Sequence, residues 1–356
     1  MKVVLIMAPM CNSASVASAL DALSFANMVE KRMKKDFVDG QSSDSAQKQV
    51  PKPISKPLFD ITTASLDGKL VEAFGGMVLQ PQTGIANFLP GEINTENGET
   101  GSIDRTIDLI IVPGFLHYIL ELLDDFVDLS NWLAGHHANG TKIASMCTGS
   151  FITAQAGILD GKMATTHWMY RTLFQQRFPK VNLQVRHIVT EDDGVFCSGG
   201  ASAGNDLLMY MIRKFGSDEL ASECSKMLLL DGSRRDQSAY IMFHFRHNHA
   251  DRRILEVQKW LDGNIATDKA FEEIATDSGF SPRNFIRRFK AATGETPVYY
   301  LQLLRLEKAK QLLENTDKNV EEITFDVGYS DGNSFRRLFK KHCGIPPGAY
   351  RKKFRQ

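Results

Sequence analysis

Hydrophobic positions are spaced in two different ways along this chain. Val3–Met7 is an unbroken apolar run, the pattern of a strand buried on both faces. Ala14 to Val29 then predicts a helix, with Val16, Leu20, Leu23 and Ala26 or Asn27 on one face. Strand-like runs recur at Leu58–Ser65, Met77–Leu79, Leu109–Val112, Lys142–Met146, Leu183–Val189 and Val195–Cys197. Helical stretches fall between or after them at Ile119–Ala134, Gly149–Ala156, Met169–Gln176, Gly204–Phe215 and Leu220–Leu229. This alternation predicts a mostly parallel α/β sandwich over residues 1–232. Two polar stretches interrupt it. Lys31 to Pro57, rich in Lys, Ser and Gln and closed by Pro51, Pro53 and Pro57, predicts a flexible surface insertion. Pro90 to Arg105 predicts an irregular segment.

From Asp251 onward the spacing is purely helical, so residues 251–356 predict a second, all-α domain behind a linker at 233–250. This domain repeats itself with a period near 50. Phe285, Arg287, Phe289 and Lys290 match Phe335, Arg337, Phe339 and Lys340, and Gly294, Pro297 and Tyr300 match Gly344, Pro347 and Tyr350. Each copy reads as helix, tight turn, helix, with Gly279-Phe280-Ser281 and Gly328-Tyr329-Ser330 as the turns. Ser281 is a natural N-cap ahead of Pro282, and Asp331 stands near the second start. Phe285, Ile286 and Phe289, and Phe335, Leu338 and Phe339, predict the buried stripes.

Charge sharpens this picture. The 356 residues hold 42 Lys/Arg and 42 Asp/Glu, which excludes a uniformly basic or acidic protein. Residues 251–356, however, hold 20 basic against 15 acidic side chains, and the remainder 22 against 27. The neutral total is the sum of an acidic half and a basic half. In the first repeat Ser281, Arg283, Asn284, Arg287, Arg288 and Lys290 are candidates for DNA contact. In the second they are Ser330, Asn333, Ser334, Arg336, Arg337, Lys340 and Lys341. Residues 251–356, including Pro297–Glu314 and the closing Gly344-Ile345-Pro346-Pro347, resemble the DNA-binding domain of the AraC/XylS transcription regulators. That resemblance implies two helix-turn-helix units in successive major grooves, usually in an activator.

In the first half, Lys142–Met146 followed by Cys147-Thr148-Gly149 predicts a strand, a sharp turn and a helix start. A thiol there meets a helix N-terminus, which favours thiolate, and His167 could pair with it as an activated nucleophile. The stretch Ile143 to His167-Trp168, with Val112-Pro113-Gly114 and Ser198-Gly199-Gly200, resembles the ThiJ/PfpI, class I amidotransferase-like fold, a flavodoxin-like sandwich. Its union with an AraC-type domain is the arrangement of the GlxA-type regulators. Enzymes of that superfamily carry a glutamate where Ser15 stands and a second glycine where Phe115 stands. The resemblance therefore implies a vestigial elbow and no enzyme. Ser15, Gly114, Phe115, Cys147, Thr148, His167 and Trp168 would line an effector pocket, with Phe115 and Trp168 available as an aromatic cage.

The remaining features are quieter. Five widely spaced cysteines without a C-x-x-C argue against disulfides and structural zinc and fit a cytoplasmic protein. Cys11, Cys197 and Cys224 read as small packing residues, and His136-His137 and His244/His247/His249 as surface or linker residues with no metal and no cofactor. No apolar stretch approaches the ~20 residues that span a bilayer. The expected protein is a DNA-binding transcription regulator and homodimer. Its partners are promoter DNA, RNA polymerase and an amino-acid-like or quaternary-ammonium effector that biases domain orientation. The rivals are a cysteine hydrolase or glyoxalase-like enzyme with a DNA-binding module, and a thiol redox sensor.

Overall fold

A computed structural model describes residues 1–41, 56–88, 107–115, 119–200, 202–231, 234, 236–243 and 245–355, with 36–41 as backbone only. Most of the 31–57 stretch and all of Pro90–Arg105 lie outside the described residues. Its contacts divide the chain into two compact units, Met1–Gln237 and Ser238–Gln356.

Seven strands of the first unit form one sheet. From edge to edge they are Val189–Asp192, Val195–Ser198, Lys142–Ser145, Leu109–Val112, Lys2–Ile6, Asp60–Ser65 and Thr83–Gly84. Every pairing is parallel except that between Val189–Asp192 and Val195–Ser198. All four residues of Leu109–Val112 are buried, as are Val3 to Ile6, which explains their unbroken apolar sequence. Helices Ser13–Gln41, Ala203–Phe215 and Asp218–Met227 pack together, and Val127–Ala138 packs with Ser150–Gln155. The chain leaves Lys2–Ile6 toward Asp60–Ser65 on one side and later returns to Leu109–Val112 on the other. Such a switch point opens a crevice beyond the carboxyl ends of the strands.

Three expectations change here. The first helix continues to Gln41, into the polar stretch read as insertion, with Met33 still packed on the core four residues after buried Val29. Leu183–Val189 is not one strand. Only Asn182–Leu183 and Val189–Asp192 are extended; Val185 and Ile188, three apart, are buried from a turn in which the His187 N–H donates to the Gln184 carbonyl. Ile119–Ala134 divides into Ile119–Leu122 and Val127–Ala138 around Asp124–Phe126.

Beyond a mostly non-helical stretch ahead of Arg252, the regular elements of the second unit's described residues are helices: Arg252–Gly263, Phe271–Asp277, Pro282–Thr293, Pro297–Asn315, Val320–Asp326, Gly332–Cys343 and Pro347–Phe354. Its two cores repeat each other. Phe285, Phe289 and Tyr300 stack in sequence at 5.5 and 5.2 Å between ring centres, and Phe335, Phe339 and Tyr350 at 5.7 and 5.4 Å. Gly294 and Gly344 end the two middle helices in the left-handed conformation that glycine adopts without strain. Ile286 does not belong to the buried stripe: it is 49% exposed, because the step of 100° per residue carries it off the Phe285–Phe289 face.

Candidate functional site

Three strand ends meet at the switch point. Asn12 and Ser15 follow Lys2–Ile6, Gly114 follows Leu109–Val112, and Cys147 follows Lys142–Ser145. The Asn12 N–H donates to the Gly114 carbonyl at 2.7 Å, and the Gly114 N–H donates to Ser15 Oγ at 3.2 Å. Ser15 Oγ in turn donates to the Asn12 carbonyl at 2.7 Å. The serine standing in place of an acid thus clamps the loop against the thiol. A Cβ on Gly114 would lie 3.1 Å from Cys147 Cβ, closer than an ordinary contact, so a side chain there would press on the elbow.

Cys147 has φ 53°, a left-handed conformation that costs a cysteine on the order of 1–3 kcal/mol and is held by its surroundings. Gly149 permits the turn, since a Cβ there would stand 2.4 Å from the Pro113 carbonyl oxygen. Ser150 Oγ donates to the Cys147 carbonyl at 2.9 Å, and Thr166 Oγ1 donates to the same carbonyl at 3.3 Å. The Phe115 N–H donates to Thr148 Oγ1 at 2.8 Å. The predicted sharp elbow is present.

Its electrostatics differ from expectation. Burial pushes the Cys147 thiol up to about 11, outweighing the Thr148 backbone and hydroxyl that lower it. The three residues after Met146 form a short 3-10 turn, and the helix behind them, Ser150–Gln155, spans only six residues. His167 Nδ1 accepts from the Met169 N–H at 3.2 Å, and its ring lies 5.4 Å from Trp168 and 6.1 Å from Tyr170. A Cβ on Gly200 would stand 3.5 Å from His167 Nε2.

Phe115 is 1% exposed and packs 5.1 Å from Phe126. It belongs to the core and does not wall an aromatic cage. Half-buried Trp168 remains beside His167. Tyr170 joins the group unforeseen: its phenol is raised by burial first, then by Cys147 and Glu121. The Trp168-Met169-Tyr170 spacing in the sequence was the available signal. His136, expected at the surface, is buried with Nε2 2.9 Å from the Phe88 carbonyl oxygen. Among the described residues no three His, Cys, Asp or Glu are grouped to hold a metal, and no helix is long and apolar enough to cross a membrane.

In the second unit the candidate DNA residues divide. Arg283, Arg287 and Lys290 are exposed on Pro282–Thr293, and Arg336, Arg337, Lys340 and Lys341 on Gly332–Cys343. Arg288 is occupied: it donates twice to Asp251, each bond 2.8 Å, and lies 4.8 Å over the Phe280 ring. It ties its helix to Arg252–Gly263, whose N-cap is Asp251, and its repeat counterpart is Leu338. The turns also differ. Gly279 and Gly328 are 49 apart, whereas Phe285 and Phe335 are 50 apart. The extra residue makes Asp331, not Ser330, the counterpart of Ser281. Asp331 caps the Asn333 and Ser334 N–H groups, while Ser281 makes no side-chain cap bond.

Residues 55–213 match the DJ-1/PfpI family, and residues 274–353 match the Helix-turn-helix domain family. The HTH-type transcriptional regulator GbdR of Pseudomonas aeruginosa is 26% identical over 294 residues, covering 82% of this chain and 74% of its own. The regulator CdhR of the same species is 30% identical over 190 residues, 53% of this chain and 56% of its own. Isonitrile hydratase of Pseudomonas putida is 33% identical over 109 residues, 30% of this chain and 45% of its own. With a PfpI-like domain followed by two basic helix-turn-helix units, the chain belongs to the AraC-family transcription regulators that carry a DJ-1/PfpI domain.

Proposed function

We propose that a small nitrogenous metabolite, amino-acid-like or quaternary-ammonium, binds at the Cys147 elbow and controls the affinity of this regulator for promoter DNA. The carrying observation is the elbow itself: a strained, buried thiol at a switch point, held protonated where a nucleophile needs thiolate. Ser15, Gly114, Thr148, His167 and Trp168 would frame the ligand, with Tyr170 beside them. Glu121, which acts on Tyr170, offers a countercharge for a cationic group. The chain acts in this reading as a homodimeric activator that recruits RNA polymerase and does not turn its ligand over. The domains read at 1–232 and 251–356 divide the labour, with the segment between them shared out at the Gln237/Ser238 boundary.

On DNA, Arg287 and Arg337 would neutralise phosphates. Measuring affinity against salt tests this: Arg287→Ala or Arg337→Ala should weaken binding and shrink the log–log slope by about one. An unchanged slope and affinity in both would remove the assignment. For the effector, the full chain is screened by thermal shift against amino acids and quaternary amines. A stabilising compound should also change DNA affinity, by reciprocal linkage. Stabilisation without any change in DNA binding would sink ligand control.

The likeness to isonitrile hydratase favours one second reading, cysteine-dependent hydration or hydrolysis. Turnover of an isonitrile by the purified chain, abolished in Cys147→Ala, would establish it in place of the sensor.

A further inference from the structure

The two DNA-reading helices superimpose in sequence at an offset of 50, so each exposed position can be compared with its counterpart. On Pro282–Thr293 the row Arg283, Ile286, Arg287 and Lys290 advances by three and four residues and lies away from buried Phe285 and Phe289. On Gly332–Cys343 the same row is Asn333, Arg336, Arg337 and Lys340, away from Phe335 and Phe339. Two pairs are identical, Arg287 with Arg337 and Lys290 with Lys340. Identical cations suit what every site shares, the phosphates. Two pairs differ, Arg283 with Asn333 and Ile286 with Arg336. Differences belong where two half-sites differ, at base edges.

Ile286 is the telling member. It is 49% exposed, on a helix whose other exposed side chains are largely cationic or polar and include no acid. A single exposed isoleucine is ordinary on a protein surface. Here it stands one helical turn from both Arg283 and Lys290, between groups suited to phosphates and base edges. In the docking that the DNA-binding reading implies, a side chain there would face the floor or wall of the major groove. The one apolar group on that floor is the thymine 5-methyl.

We propose that Ile286 is a specificity-determining residue that reads a thymine methyl group. It gives the first helix-turn-helix unit a preference that Arg336, suited to a guanine edge, does not give the second. The inference rests on the DNA-binding reading above and adds to it the base that each position selects.

The test uses the full chain and a pool of randomised duplexes. Wild type should select a site with a required thymine in one half, and Ile286→Ala should lose that requirement while keeping the rest of the site. Replacing that thymine by deoxyuridine, which deletes only the methyl, should weaken wild-type binding about fourfold, the worth of one buried methyl group. It should leave Ile286→Ala unaffected. An Ile286→Ala protein that selects the wild-type site at every position overturns the proposal. So does one that keeps the site but loses activation by RNA polymerase, which would make Ile286 a protein contact. Arg287→Ala separates the two levels. If it binds every sequence more weakly, the helix is correctly placed and only the Ile286 assignment is at stake. If it binds normally, the placement fails and this inference with it.

Discussion

Cys147 combines the geometry of a nucleophile with the electrostatics of a core residue. Its left-handed φ of 53° turns the chain so that the thiol meets Gly114, while burial holds it up at about 11 against an ordinary 9.0. A thiol held that high is about a hundredfold less ionised at pH 8 than a solvated cysteine. Alkylation by iodoacetamide at pH 8, followed residue by residue through peptide mass mapping, should therefore label Cys147 many times more slowly in the folded chain than in urea, because burial limits both its ionisation and its access. Fast labelling of folded protein would restore both the redox and the enzyme readings. Cys197, also pushed up to about 11 by burial, supplies an internal comparison, since it lies in a strand without the elbow.

At the scale of the element, the repeated unit shows what a sequence reveals and what it conceals. Gly279 and Gly328 in the turns, Gly294 and Gly344 at the helix ends, and the two Phe pairs were legible because each is demanded by backbone conformation or core volume. Which cap makes side-chain bonds was not. Ser281 and Asp331 both stand at the N-cap position, yet only Asp331 accepts from the chain, from the Asn333 and Ser334 N–H groups at 3.1 and 2.8 Å. A one-residue difference in turn length decides that, and spacing alone leaves it open. Those bonds hold the Asp331 carboxyl below its usual range. Its stabilisation is thus present above the unfolded carboxylate range, near pH 4, and disappears as pH falls through the lower folded value. Asp331→Ala should lower the melting temperature at pH 7, Ser281→Ala should leave it unchanged, and the two should converge in acid. Equal effects at pH 7 would contradict the cap assignment. Ile286 and Arg288 were concealed for a related reason. Adjacent residues on an amphipathic helix differ by 100°, and which borders the core depends on Arg252–Gly263, where Asp251 captures Arg288.

Across the chain, the opposed charges of the two halves were visible from composition, but the segment joining them was misjudged as mere connector. Within the Ser238–Gln356 unit, Ala239 and Tyr240 pack on one helix-turn-helix core and Phe245 on the other. Ala239 is buried with Leu306 and Phe339, and Tyr240 lies 5.3 Å from the Phe354 ring. The Ile241 carbonyl accepts from the buried Lys310 ammonium at 2.6 Å, and Phe243 lies 5.2 Å beneath it. Phe245 then reaches the other core, 4.9 Å from Tyr300. Buried Gln258 bonds the Arg246 carbonyl, His249 Nε2 and the Tyr300 hydroxyl at 2.9, 2.8 and 2.9 Å. A polar, histidine-rich composition hid this strap, because its three aromatic anchors stand three and two residues apart and match neither a helical nor a strand period. A fragment beginning at 251 would lose those anchors and leave the Lys310 ammonium with Glu307 alone among these partners. Losing even one such aromatic contact and one charged hydrogen bond costs about 5 kcal/mol. For a domain of this size that lowers the melting temperature by about 20 °C or more. Fragments 238–356 and 251–356, compared by calorimetry and by DNA binding, should differ by that much in stability, with the shorter one binding DNA more weakly. Two fragments that melt together would show that the strap merely rests on the cores, and that the two helix-turn-helix units hold each other without it.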